Sequence, residues 1–96
     1  MSLVHSYRMQ ARPGAEDDLG EALEALAEAV RSIAGSQGAM VLQDRKDSQK
    51  FLFLEYWDSE ASRNAAGSQL PKDVMGRVMA SQGGPIEMTL WDRRAG

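Results

Sequence analysis

The stretch Lys50–Trp57, which reads KFLFLEYW, decides the fold. Successive side chains of a β-strand point to opposite faces. Both faces of this stretch are apolar: one carries Phe51, Phe53 and Trp57, and the other carries Leu52, Leu54 and Tyr56. A strand of this kind is covered on both of its faces. Helices of the same chain can cover one face, and we expect a second copy of the chain to cover the other.

The composition is that of one small globular domain. The chain has 96 residues and a mass of 10.5 kDa, so it buries only about 60 to 65% of the surface of its unfolded chain. It contains no cysteine, so no disulfide supplements this thin core. We therefore expect a homodimer to supply further burial. The absence of cysteine is also typical of the reducing cytoplasm, where we expect the protein to reside.

The charge of the chain argues against two classes of partner. The net charge is −3, and six acidic residues fall between Glu16 and Glu28. Because nucleic acids and anionic membranes attract basic surfaces, we expect neither as a partner. The apolar runs are only a few residues long, so the sequence predicts no membrane-spanning segment. No basic and then apolar segment typical of a signal peptide is expected either.

The sequence before the central stretch predicts one strand and one helix. Residues 3–12 alternate, and one face carries Leu3, His5, Tyr7, Met9 and Ala11. Pro13-Gly14 ends this strand as a turn. Residues 15–34 then change to a helical period, with an apolar stripe made of Leu19, Leu23, Leu26, Val30 and Ile33. Gly35 is the expected stop of the helix.

The remaining segments complete a recognisable order. Residues 39–44 and Lys50–Trp57 form a predicted hairpin, and Asp58-Ser59 caps a short helix that Gly67 closes. Pro71 begins another helix, whose inner side is predicted to carry Val74, Met75, Val78 and Met79. Ile86, Met88 and Leu90 alternate in a last strand. The order predicts an α+β, ferredoxin-like fold, with helices on one face of a four-stranded antiparallel sheet.

Two motifs in this order resemble a known family. They are Arg12-Pro13-Gly14 after the first strand and the run FLEYWDSEA at residues 53–61. Together with the acidic helix and the hairpin, they resemble the antibiotic-biosynthesis-monooxygenase family over nearly the whole chain. The resemblance implies a dimeric α+β barrel, with a cavity between sheet and helices for a small hydrophobic or aromatic ligand. Quinol-forming members oxidise polyphenols with molecular oxygen and no bound metal or flavin, so the resemblance implies no cofactor.

The resemblance carries over to individual residues only in part. In the quinol-forming type the motif tryptophan lies in the site, and Trp57 matches it. The asparagine expected four residues earlier is Phe53, and the tyrosine expected six residues later is Arg63. Many other members end the second helix with a histidine, where this chain has about Ala66. Trp57 is therefore the one site residue that the resemblance assigns directly.

Four residues are candidates for catalysis, and each has a structural alternative. Trp57 could line a pocket or be a core aromatic. His5, the only histidine, could accept a proton from a phenolic substrate or make a structural contact. Tyr7 could orient a ligand or bond to a backbone carbonyl. Arg63 could stabilise a phenolate, or be an exposed helix residue.

Three further residues are candidates for substrate binding: Phe53, Asn64 and Met79. The alternatives are core packing for Phe53 and Met79 and an exposed helix position for Asn64. Glu55 fits the family motif and is predicted to face a rim or an ion pair. The sequence contains no spacing of ligands typical of a metal site, so no metal is expected.

Three function classes are compatible with the sequence. The leading one is a cofactor-independent monooxygenase for a small aromatic or quinol-type compound. The second is a non-catalytic dimeric module that binds a small molecule. The third is an RNA-recognition module, because Lys50–Trp57 alternates aromatic residues as such modules do. The glycine of that motif is missing, Leu52 occupies its small-residue position, and an exposed platform of Phe51 and Phe53 would be required.

Overall fold

The structure is a computed structural model that describes residues 2–96. The chain order is strand β1 (Leu3–Gln10), helix α1 (Glu16–Arg31), strands β2 (Ser36–Gln43) and β3 (Lys50–Trp57), helices α2 (Glu60–Ala66) and α3 (Lys72–Ser81), and strand β4 (Glu87–Asp92). One 3-10 turn, Gly67–Gln69, joins α2 to α3. The strands form an antiparallel sheet in the order β2-β3-β1-β4. This confirms the predicted ferredoxin-like α+β fold.

Helix α1 supplies most of the cover for one sheet face. Leu19, Leu23 and Val30 from its apolar stripe are fully buried. Three acidic residues in its first turn and Arg31 in its last turn complement the helix dipole. Arg31 also donates from Nη2 to the carbonyl oxygen of Ala39 at 3.1 Å, which ties the helix end to β2.

The end of α1 differs from the prediction. The helix ends at Arg31, so Gly35 is not its immediate stop. Gly35 has φ +89°, a conformation that suits glycine, and it lies in the turn that leads into β2. Its carbonyl oxygen accepts a hydrogen bond from the Asp58 amide at 2.9 Å. The glycine therefore allows this turn to lie close to the segment that precedes α2.

Helix α2 begins as predicted and docks with little apolar surface. The Ser59 side chain accepts a hydrogen bond from the Ser62 amide at 3.1 Å, which caps the first turn. Ala66 is the only buried residue of the helix. The α-helix ends at Ala66 with Gly67 as its C-cap, as predicted, and Gly67 keeps a helical φ of −54° and begins the 3-10 turn.

Helix α3 corrects one prediction. Val78 and Ser81 are its buried residues, and Val74 and Met75 pack partly against the core. Met79 is 54% exposed, so its predicted place on the inner side is wrong. Residues 74, 78 and 81 share one face of a helix, whereas position 79 lies about 100° around the helix from 78 and still farther from 74 and 81.

The helices cover the sheet face that carries Phe51, Phe53 and Trp57, which are at most 6% exposed. The two phenylalanines are therefore core residues, and the exposed platform that an RNA-recognition module requires is absent from residues 2–96. The other face is not covered by any described element. Its residues Met40 and Leu42 are each 44% exposed and Trp91 is 53% exposed. Among residues 2–96, no helix combines the length and the apolar character needed to traverse a lipid bilayer.

Candidate functional site

The sheet register brings polar side chains into the covered face. His5 on β1 lies directly opposite Glu55 on β3, and Tyr7 lies opposite Phe53. Directly paired residues share a face, so these four side chains point toward the helices. Because β1 and β3 are the two central strands, their polar residues cannot reach solvent at an edge. His5 and Glu55 are each only 5% exposed.

Glu55 is the acceptor at the centre of this cluster. The indole Nε1 of Trp57, two residues along the same strand face, donates to Oε1 of Glu55 at 3.1 Å. Nε of Arg63 lies 3.3 Å from the same oxygen and forms an ion pair with it. Burial raises the pKa of Glu55, while the indole hydrogen bond and the charge of Arg63 oppose that rise. One hydrogen-bond donor and one cation therefore converge on the same oxygen, which favours the carboxylate form.

Arg63 connects α2 to the sheet. Its Nη2 donates a hydrogen bond of 2.8 Å to the hydroxyl oxygen of Tyr7. Burial raises the pKa of Tyr7, and the hydrogen bond from Arg63 opposes that rise. The same guanidinium therefore contacts a β1 hydroxyl and a β3 carboxylate, and it fixes the short helix above both strands.

His5 is the side chain of the cluster with two buried polar atoms that lack a hydrogen-bond partner among the described residues, while Arg63 has one, its Nε. Neither ring nitrogen has a hydrogen-bond partner among residues 2–96, although both are buried. Burial and the charge of Arg63 lower its pKa, and Glu60 opposes this, so the imidazole is neutral at neutral pH. A neutral imidazole offers one N–H donor and one acceptor nitrogen. Because unpaired buried polar atoms are costly, the two nitrogens are suited to bind a ligand.

The helix-facing side of the sheet is uncovered at β4, the strand next to the one that carries His5. Leu90 on β4 lies opposite His5, and Met88 lies opposite Tyr7. Both apolar side chains share the helix-facing side of the sheet but are about half exposed, because the helices do not extend over β4. A small apolar molecule at this edge would contact Met88 and Leu90, which lie opposite Tyr7 and His5 in the sheet.

The structure brings together five of the seven predicted site residues: His5, Tyr7, Phe53, Trp57 and Arg63. The ring of Phe53 lies 6.2 Å from that of Tyr7 and is buried beneath the polar cluster. Asn64 and Met79 are exposed and lie outside the cluster. Asn64 follows Arg63 by about 100° around the helix, so it points away when Arg63 points to the sheet.

Glu55 is the member whose central role the sequence did not reveal. It was expected at a rim or in an ion pair, and the structure shows the ion pair but in the interior. The available signal was its position between Phe53 and Trp57 in the alternation of β3, because residues at intervals of two share a face. No cluster of three or more acidic or histidine side chains within residues 2–96 could hold a metal ion.

One comparison with known proteins shows the family of the chain. The family model described as antibiotic biosynthesis monooxygenase matches residues 2–69. The chain belongs to the antibiotic biosynthesis monooxygenase family. The match covers β1 to the 3-10 turn and therefore includes all five clustered positions and Glu55.

Solved structures share the fold of this family member. PA3566 from Pseudomonas aeruginosa is 24% identical over 98% of this chain and 95% of its own, with a TM-score of 0.82. SnoaB from Streptomyces nogalater, described as a cofactor-independent oxygenase, is 13% identical over 99% of this chain and 95% of its own, with a TM-score of 0.83. Rv0793 from Mycobacterium tuberculosis is 16% identical over 100% and 98% of the chains, with a TM-score of 0.82. No curated protein matches the sequence at a significant level.

Proposed function

We propose that the protein is a cofactor-independent monooxygenase that oxidises a small aromatic or quinol-type compound with molecular oxygen. The observation that carries this proposal is the neutral, buried His5, whose two ring nitrogens have no partner among residues 2–96. Membership in the family and the likeness to SnoaB support the reaction type. The half-exposed Met88 and Leu90 beside the imidazole support an apolar ligand.

In the proposed reaction, the acceptor nitrogen of His5 removes a proton from an activated CH₂ group of the substrate. The resulting carbanion is delocalised into a neighbouring oxygen of the substrate. The carbanion gives electrons to molecular oxygen, and a carbon–oxygen bond forms. Loss of the second C–H proton and cleavage of the O–O bond then give a carbonyl group and one water. Two C–H bonds and one O₂ are thus converted to C=O and H₂O.

Oxygen uptake with anthrone-like and dihydroxynaphthalene compounds tests this function. We expect turnover by the wild-type protein and a fall in kcat of about 100-fold or more in His5→Gln, the range for loss of a general base. Glu21→Gln, on the exposed side of α1, is the control and should keep the wild-type rate. Equal rates in His5→Gln and wild type would refute the role of His5.

A second function is favoured by one observation. The indole N–H of Trp57 and the charge of Arg63 are both directed at Glu55, so neither is free to act on a substrate. This arrangement suits a non-catalytic module that binds a small molecule through His5. Calorimetric binding of such compounds without oxygen uptake would select this function over the first.

We also propose that the protein is a homodimer that pairs its uncovered sheet faces. One continuous row across that face consists of Met40, Leu54, Ser6 and Thr89. The neighbouring rows contain Leu42 and Trp91. Leu54 lies on the central strand β3, so Leu54→Lys places a charge in the middle of the face. Light scattering should find a wild-type dimer, a monomeric Leu54→Lys and a dimeric Glu24→Lys control. A folded wild-type monomer would refute this assembly.

A further inference from the structure

The polar cluster contains one negative and one positive side chain in direct contact. Glu55 is 5% exposed and its Oε1 lies 3.3 Å from Nε of Arg63. His5 is neutral, because burial and Arg63 lower its pKa. Tyr7 is also neutral, because burial raises the pKa of its hydroxyl. The cluster therefore carries no net charge, although it includes a guanidinium that would attract an anion by itself.

The geometry commits Arg63 to groups of the protein. Its Nη2 donates to the Tyr7 hydroxyl at 2.8 Å, and its Nε faces the Glu55 carboxylate. Glu55 is held in turn by the indole of Trp57 at 3.1 Å. A ligand carboxylate that approached Arg63 would have to displace a buried carboxylate that is already fixed from two sides. It would also lie close to that carboxylate, and like charges at short range repel.

We propose that Glu55 determines specificity: by neutralising Arg63, it makes the site select uncharged hydroxy- or oxo-aromatic ligands over aromatic carboxylates. This inference rests on the proposed ligand site beside His5. A hydroxyl or carbonyl group suits the imidazole, because the ring offers one donor and one acceptor. A carboxylate can accept a hydrogen bond from the N–H of the imidazole. It has no proton to donate to the acceptor nitrogen, so the lone pairs of its oxygens and of that nitrogen repel each other.

Naphthol and naphthoate are matched probes for this specificity, since they share a ring system and differ in charge at pH 7. Calorimetry of the wild-type protein should show naphthol bound at least about tenfold more tightly than naphthoate, the factor that one charge-assisted contact provides. Glu55→Gln keeps the size of the side chain and a carbonyl acceptor for Trp57, but leaves Arg63 unneutralised. In this variant we expect the ratio of the two affinities to fall by about tenfold or to invert.

Two further variants separate the charge effect from a structural one. Glu55→Gln/Arg63→Gln removes both charges, so its net charge in the cluster is again zero and the preference for naphthol should return. Glu21→Gln changes the net charge of the protein by the same amount as Glu55→Gln but lies on the exposed side of α1, so its affinity ratio should equal that of the wild type.

The possible outcomes distinguish this inference from the function on which it rests. A preference for naphthol that Glu55→Gln abolishes and the double variant restores supports the inference. If both probes bind and Glu55→Gln leaves the ratio unchanged, the inference is refuted while the ligand site stands. If the double variant fails to restore the ratio, the effect of Glu55 is structural and the inference is also refuted. If the wild-type protein binds neither probe, the ligand site itself is refuted.

Discussion

Replacement of Gly35 by alanine tests how the turn before β2 positions helix α2. Gly35 has φ +89°, and a Cβ at this residue would collide with the Ser62 side chain and lie 3.0 Å from Oδ1 of Asp58. A left-handed conformation costs a non-glycine residue about 1 to 2 kcal/mol, and overpacking costs about 1 to 3 kcal/mol. We therefore expect Gly35→Ala to lower the free energy of unfolding by about 2 to 4 kcal/mol, which corresponds to a fall in Tm of about 10 °C or more.

Chemical denaturation followed by circular dichroism measures this change, and two further variants serve as controls. Gly76→Ala, in α3 with no atom within 4 Å of its added Cβ, should stabilise the protein by about 1 kcal/mol because alanine favours a helix. Gly35→Ala/Ser62→Gly removes the collision but keeps the backbone strain, so it should recover roughly half of the loss. A free energy of unfolding for Gly35→Ala within about 0.5 kcal/mol of the wild-type value would be typical of an ordinary surface site. It would show that the close approach of Gly35 to Ser62 does not hold α2 in place.

Three other outcomes are expected. The pKa of His5 lies below 6.5 in the folded protein, so the unfolded chain binds this proton more readily; stability should fall as pH drops below 6.5, by at most about 1.4 kcal/mol per pH unit. Denaturation of His5→Gln across the same pH range should lack this fall, and an unchanged profile would contradict the assignment. Tyr7→Phe removes the acceptor of the 2.8 Å bond from Arg63 and should cost about 1 kcal/mol in the same assay, whereas a stability equal to wild type would show that water replaces the hydroxyl. Asn64→Ala should change neither stability nor oxygen uptake, since Asn64 is exposed beside the cluster; a large loss of turnover would place it in the site.

Periodicity in the sequence predicted the fold because each element buries one side at a fixed interval. The alternation of Lys50–Trp57 placed Phe53 and Trp57 on the covered face, and the structure has both at 1% exposure. The stripe of α1 predicted its buried residues in the same way. The end of α1 was less predictable, because residues 32–35 keep apolar character in Ile33 while the backbone has already left the helix.

The contents of the site were less predictable because they depend on contacts between elements. Sequence alone placed Tyr7, Glu55 and Arg63 on three elements but did not show that one guanidinium contacts the other two. That contact depends on the strand register and on the height of α2 above the sheet, which Gly35 and Ser59 help to set. The prediction for Met79 was wrong for a related reason. Helix α3 turns the face of Val78 and Ser81 to the core, whereas periodicity alone allowed a wider buried face that included Met79.

The cluster that forms the site is also what docks helix α2. With Ala66 as its only buried residue, the helix has little apolar surface to bind it to the sheet, so the contacts of Arg63 with Tyr7 and Glu55 contribute to its position. Substitution of Arg63 therefore removes a charge from the site and an anchor from the helix together. Loss of turnover in an Arg63 variant is attributable to the missing charge only if Ser59→Ala, which weakens the helix cap without contacting the guanidinium, retains turnover.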